Sequence, residues 1–194
     1  EFSVDRDTGQ GRPLSAAHGR YAGVAWVSPQ VRDANLDLIK WLAMLTMLLD
    51  HLRYLGPETE WLFIVGRLAF PLFCLGIAAN VARASSGQLY TDDNVRYLGW
   101  MATFAVISEL PYRLLSSDSN TLNVMPSLML GLLIAWGVHQ RGRDGFILAM
   151  ASLTVAGLIQ ERLMYGVFGA LLPAALLLAI QRPGLVWLLP AALC

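Results

Sequence analysis

The stretch MLLDHLRYL, residues 47–55, sets an aspartate and a histidine side by side near the end of an otherwise apolar run. Asp50 and His51 are the residue types that move a proton near neutral pH. The imidazole takes and releases it, and a carboxylate orients the ring and stabilises its charged form. Further along, IVGRLAFPLF carries Arg67, a forked cation suited to an oxyanion, a carboxylate or a phosphate. VISELPYRLL supplies a second carboxylate, Glu109, and NTLNVMPSL supplies Asn123. QERLMYGVFG adds Glu161 and Tyr165. Together these groups hold the parts of a transfer site: a base, carboxylates, a cation and hydrogen-bonding partners.

The elements that must position them are apolar. Of 194 residues, 56% are hydrophobic and 14% charged, with a mean hydropathy of +0.51. A soluble domain averages about 25% charged residues. Apolar segments are expected near 36–55, 61–82, 96–115, 122–139, 145–160 and 163–180, most of them about 18 to 22 residues long, enough to cross a hydrocarbon core of roughly 30 Å. A last run, GLVWLLPAALC, is too short to span unaided. The expected fold is therefore all-α, a polytopic transmembrane bundle of about six to seven helices over residues 35–194. Residues 1–34 are polar, rich in Gly, Ser and Arg and without periodicity, and read as a flexible tail with no removable signal peptide. Net charge is zero, so no overall field points to nucleic acid. The connections are short, so successive helices should be antiparallel neighbours.

Orientation follows from the cations. Arg6, Arg12, Arg20, Arg32, Arg83, Arg96, Arg141, Arg143 and Arg182 flank one side, against Arg53, Arg113 and Arg162 on the other. The bias places the N-terminus in the cytoplasm and the first, third and fifth connections outside. Asp50, His51, Arg67, Glu109, Asn123, Glu161 and Tyr165 then share one outward layer, with Asp50 roughly 7 Å from the helix end at 1.5 Å per residue. An ionised residue at a helix centre costs about 2.5 to 3.5 kcal/mol on insertion scales, so these groups must face each other or a water-filled cavity. An ion-pair network that fixes helix packing is the alternative to a reactive site.

Phase and breaks refine this. Lys40, Met44, Met47, His51 and Tyr54 follow 4-3-4-3 spacing and share one stripe of the first helix. Lys40 and His51 are roughly 16 Å apart along the axis, a distance a long substrate arm could cover. Snorkelling to the cytoplasmic headgroups is the alternative reading of Lys40. Pro71 removes the hydrogen bond to the Arg67 carbonyl and Pro111 the one to Ile107, so kinks are expected beside the polar layer. Cys74 and Cys194 form no spacing motif, and Cys74 reads as a packing residue. His18, His51 and His139 are far apart, so no metal site is expected. Phosphate-loop, nucleophile-elbow and zincin motifs are absent from the sequence.

LDLIKWLAMLTMLLDHLRYL, IVGRLAFPLFCLGIAANVAR, VISELPYRL, LNVMPSLMLGLL and YGVFGALLP resemble, in order, the blocks of the TraX family over about residues 36 to 180. QERLM stands where the family pattern has an aspartate close to the tyrosine, so Glu161 is an approximate substitute. The resemblance implies a bacterial inner-membrane protein associated with conjugation. It also implies N-acetylation of a pilin subunit, with acetyl-CoA as donor, and distant kinship to multi-pass membrane acyltransferases. On that footing His51 is the expected general base, with Asp50 or Glu109 orienting it and Arg67 stabilising the oxyanion. Asn123, Tyr165 and Glu161 are expected near the acceptor. Lys40, Arg83, Arg141 and Arg143 are expected to attract the phosphates of the donor. The rival readings are a non-catalytic pilin-binding or assembly factor, and a small proton-coupled transporter with Asp50, His51 and Glu109 as relay.

Overall fold

The structure is a computed structural model that describes residues 34–52, 56–59, 61–84, 87, 89–115, 120–140, 142–182, 186 and 188–193. The tail expected over 1–34 lies outside them but for Ala34, as do Arg141 and Tyr54. The described residues are all-helical, with no strand among them. The helices are α1 (Ala34–Leu52), α2 (Leu62–Gly66), α3 (Ala69–Arg83), α4 (Asp92–Leu115), α5 (Val124–Gln140), α6 (Arg143–Leu158), α7 (Gly166–Gln181) and α8 (Leu188–Leu193). Each expected apolar block is a helix within a few residues of its expected ends, because runs of Leu, Ala, Met and Ile carry both helix propensity and burial.

α2 and α3 are one 22-residue apolar run, Leu62–Arg83, long and apolar enough to cross a membrane. The run is interrupted at Arg67 and Leu68, where the Leu68 N–H turns to the Val65 carbonyl at 3.1 Å. Pro71 is the cause, since it has no N–H to offer the Arg67 carbonyl. Pro111 leaves α4 unbroken through its 24 residues. α5 and α7 are apolar but 17 and 16 residues long, roughly 26 and 24 Å at 1.5 Å per residue.

α3, α5 and α7 form the centre and run parallel. Side chains at their C-terminal ends meet, and midway Gly131 of α5 lies against Pro173 of α7; a Cβ at Gly131 would come within 2.7 Å of the proline ring. Leu132, Leu172, Leu177, Val81 and Cys74 fill the core between them. α1, α4 and α6 pack around this centre in the opposite direction. α6 crosses α5 where Gly137 faces Gly145 and Ala149, a contact only small residues permit. The outer helices leave large apolar side chains exposed, among them Trp41 at 65%, Val106 at 76% and Leu158 at 81%.

Candidate functional site

α1 turns a stripe of Leu36, Ala43 and Thr46 inward. Thr46 satisfies its hydroxyl on its own helix, bonding the Leu42 and Ala43 carbonyls at 3.0 Å. Asp50 continues that stripe one turn on and sits half-buried against the backbone of Gly66. A Cβ at Gly66 would fall 2.5 Å from Asp50 Oδ1 and 2.7 Å from its Cγ. Glycine is therefore what lets the carboxylate reach α2 one residue before Arg67, at the break in the helix.

His51 is on the other side of α1. Its ring is exposed, and Nδ1 lies 2.7 Å from the Met47 carbonyl. A carbonyl oxygen only accepts, so Nδ1 carries the proton and the neutral ring keeps its lone pair on Nε2. Nε2 has no partner among the described residues. The stripe Lys40–Met44–Met47–His51 thus faces outward: Lys40 is exposed and Met44 is 54% exposed. The expected run from Lys40 to His51 is an outer surface of α1, not a channel between helices.

Arg67 is exposed, its guanidinium 4.6 Å from the centre of the Phe63 ring one turn back. Three residues beyond Arg67, Phe70 is buried and stacks on Tyr165, with ring centres 3.8 Å apart and planes within 10°. Gly169 lies beneath the pair; a Cβ there would meet Phe70 Cζ at 3.1 Å and collide with Tyr165 Cβ. The stack brings the start of α7 to the break between α2 and α3. Asp50 therefore reaches the break between α2 and α3 from α1 and Tyr165 reaches it through Phe70, while the His51 ring stands on the outer side of α1.

Glu109 and Asn123 lie elsewhere, on α4 and α5. Glu109 Oε1 accepts from Arg113 Nε at 2.7 Å and Oε2 from the Asn123 backbone N–H at 3.1 Å. Asn123 is buried and caps α5, accepting the Met125 N–H at 2.9 Å on Oδ1. Its Nδ2 donates to the Ala105 carbonyl at 2.8 Å and to Ser108 Oγ at 3.1 Å. Tyr112 and Thr121 join hydroxyls at 2.7 Å. The carboxylate and the amide thus clip α4 to α5. α4 packs on α5 whereas α1 packs on α2 and α3, so His51 is held by its own helix and Glu109 by Arg113 and Asn123.

Glu161 is exposed in the 3-10 turn Gln160–Arg162 that precedes α7. With Arg113, Asn120 and Arg162 it lines an open cleft of about 500 Å³. Lys40 in the first half of α1, Arg83 at the end of α3 and Arg143 at the start of α6 are all exposed, toward the opposite end of the bundle. Among the described residues no group of three or more His, Cys, Asp or Glu could hold a metal ion.

One residue at that opposite end was read from the sequence only as a remote histidine. His139 is buried, its Nε2 2.9 Å from the Ala84 carbonyl and its Nδ1 2.8 Å from Gln181 Nε2. The first is a donated bond and the second an accepted one, so a neutral ring joins the ends of α3, α5 and α7. Gly66, Phe70 and Gly169 were likewise not singled out from sequence. The only signal for Gly66 is its place beside Arg67.

Residues 35–194 match the model of the family described as TraX protein. A stretch of 78 residues is 41% identical to Protein TraX of Escherichia coli (strain K12), covering 39% of this chain and 29% of the relative. A second Escherichia coli Protein TraX is 44% identical over 48 residues, 24% of this chain and 19% of the relative. An uncharacterized protein of Rickettsia prowazekii (strain Madrid E) is 31% identical over 96 residues, 49% of this chain and 34% of the relative. The matched stretches thus span about a third or less of these relatives. No solved structure matches. With its family match running from the start of α1 through α8, the chain belongs to the TraX family.

Proposed function

We propose that this protein is a multi-pass acyltransferase of a bacterial inner membrane that N-acetylates a pilin subunit or another membrane-exposed amine, with acetyl-CoA as donor. The observation that carries the reading is the pair at the end of α1. Asp50 is fixed against Gly66 while His51, its Nδ1–H bound to the Met47 carbonyl, keeps Nε2 as an open proton acceptor. Membership in the TraX family supports it, as does the girdle of exposed apolar side chains on α1, α4 and α6, which suits a lipid solvent better than water. The excess of arginines at the Arg83 and Arg143 end supports a cytoplasmic N-terminus.

In this scheme the acceptor nitrogen attacks the thioester carbonyl. A C–N bond forms, the C–S bond breaks, the ammonium proton passes to His51 Nε2 and coenzyme A leaves as the thiol or thiolate. Arg67 steadies the oxyanion, Asp50 holds the end of α1 in register, and Tyr165 lines the acceptor side. Glu109 and Asn123 act as scaffold through the α4–α5 clip. Lys40, Arg83, Arg141 and Arg143 draw the donor phosphates to the cytoplasmic end. The acyl group must then travel along the outer face of α1.

That last demand favours one rival, a non-catalytic docking protein in which the exposed face of α1 receives a partner helix. Intact-mass analysis of the cognate pilin after co-expression separates the two. An added acetyl mass with wild type, lost with His51→Ala, is the expected result. Normal acetylation by His51→Ala sinks the base assignment, and no added mass with folded wild type sinks the enzyme reading.

A further inference from the structure

The cleft between the α4–α5 connection and the turn before α7 holds charges that the transfer scheme does not use. Arg113 is already paired with Glu109. Glu161 and Arg162 are neighbours in the chain, both exposed, and neither side chain has a partner among the described residues. They line the cleft together with Arg113 and Asn120. With Arg113 balanced by Glu109, the cleft presents among the described residues one unmatched cation, Arg162, and one unmatched anion, Glu161.

Its walls are built rather than loose. The Leu122 N–H donates to the Arg162 carbonyl at 2.7 Å, joining the two connections. Tyr112 holds Thr121, and Glu109 holds both Arg113 and the Asn123 N–H. The charged side chains therefore stand on a fixed rim. Below Arg113 the same face of α4 is apolar and open. Val106 and Leu110, seven and three residues before Arg113, are 76% and 69% exposed. Leu114, next to it, is 77% exposed.

We infer that this cleft seats the headgroup of a zwitterionic phospholipid carrying a phosphate and a primary ammonium, with an acyl chain along Val106 and Leu110. The phosphate meets Arg162, whose planar guanidinium donors match its oxygens. The ammonium meets Glu161, and Asn120 completes the rim. A purely anionic lipid would set its charge against Glu161, and a quaternary ammonium would lack the N–H donors that Glu161 accepts. The inference rests on the membrane reading above.

The test uses the full chain in nanodiscs of phosphatidylethanolamine, phosphatidylglycerol and phosphatidylcholine, followed by detergent release and native mass spectrometry of retained lipid. Wild type should retain phosphatidylethanolamine over the other two. Arg162→Gln should lower that retention about tenfold, the loss of one charge-assisted contact. Glu161→Gln should abolish the preference over phosphatidylglycerol. Both side chains are exposed and make no internal bond, and thermal unfolding confirms that the variants fold. Equal retention of all three lipids, or unchanged retention in both variants, overturns the proposal. Soluble glycerophosphoethanolamine binding as tightly as the lipid also overturns it, because the acyl face would then contribute nothing. Failure of the membrane reading has a separate signature: the chain would be released from membranes by alkaline carbonate before any lipid comparison.

Discussion

The carboxylate of Asp50 rests on the backbone of Gly66, so near that a methyl group on that glycine would lie 2.5 Å from Oδ1. Two helices that follow one another in sequence are thereby locked at the point where the second is interrupted. The contact places an acidic group beside Arg67 and gives α1 a defined rotation about its axis. Everything proposed for His51 depends on that rotation.

Gly66→Ala should therefore cost about 1 to 3 kcal/mol, the range for forcing extra volume into a packed contact, and should lower transfer through displacement of Asp50. Gly99, inside α4 with open space around its Cα, is the control. Gly99→Ala should be neutral or stabilising by up to about 1 kcal/mol, since alanine loses less backbone entropy in a helix. Thermal unfolding in detergent micelles compares them, and equal stability of the two variants would contradict the Asp50–Gly66 contact.

The Tyr165–Phe70 stack predicts a split between ring and hydroxyl. Tyr165→Phe keeps the stack and should cost less stability than loss of the ring, while any loss of transfer reports the hydroxyl. Tyr165→Leu should lose about 1 kcal/mol of ring pairing besides any burial it fails to replace. If Tyr165→Leu unfolds like wild type, the stack does not hold α7 to α3.

Asn123 answers to a different measurement. Asn123→Ala removes the α5 cap, worth about 0.5 to 2 kcal/mol, and leaves the Ala105 carbonyl without its donor. Asn123→Asp keeps the cap acceptor but turns an anion toward that carbonyl and toward Glu109, so it should be the worse of the two at neutral pH. Denaturant unfolding of both variants decides; an aspartate variant as stable as wild type would disprove the clip.

His139→Ala should destabilise by about 1 to 3 kcal/mol, because it strands both the Ala84 carbonyl and the Gln181 amide in a part-buried place. His139 lies at the end of the bundle remote from His51. The pH dependence of any transfer activity should accordingly keep its shape in this variant while the unfolding midpoint falls. A shifted pH profile with unchanged stability would place His139 in the chemistry instead.

Much of this was legible in the residue order. Apolar blocks announced the helices, and Pro71 announced the break at Arg67. Asp50, His51, Arg67 and Tyr165 were expected together; Asp50 and Tyr165 approach the break beside Arg67 from α1 and α7, and the His51 ring faces away on the outer side of α1. Glu109 and Asn123 were expected with them and instead serve the α4–α5 junction. Sequence spacing gives the depth of a side chain along its helix but not which neighbour the helix chooses.

The rotation of α1 shows where the division falls. By itself the sequence determined helix positions, the clustering of polar groups at one end and the excess of arginines at the other, because these follow from local composition and length. It did not determine which stripe of α1 turns inward. A helix apolar on nearly every side carries little amphipathic signal, so the choice between the Met47–His51 face and the Ala43–Thr46–Asp50 face falls to packing. Small side chains at Ala43, Thr46 and Gly66 allow close approach, and the tertiary structure takes that face. Asp50 goes inward with it, and His51 is left outside with its Nε2 open.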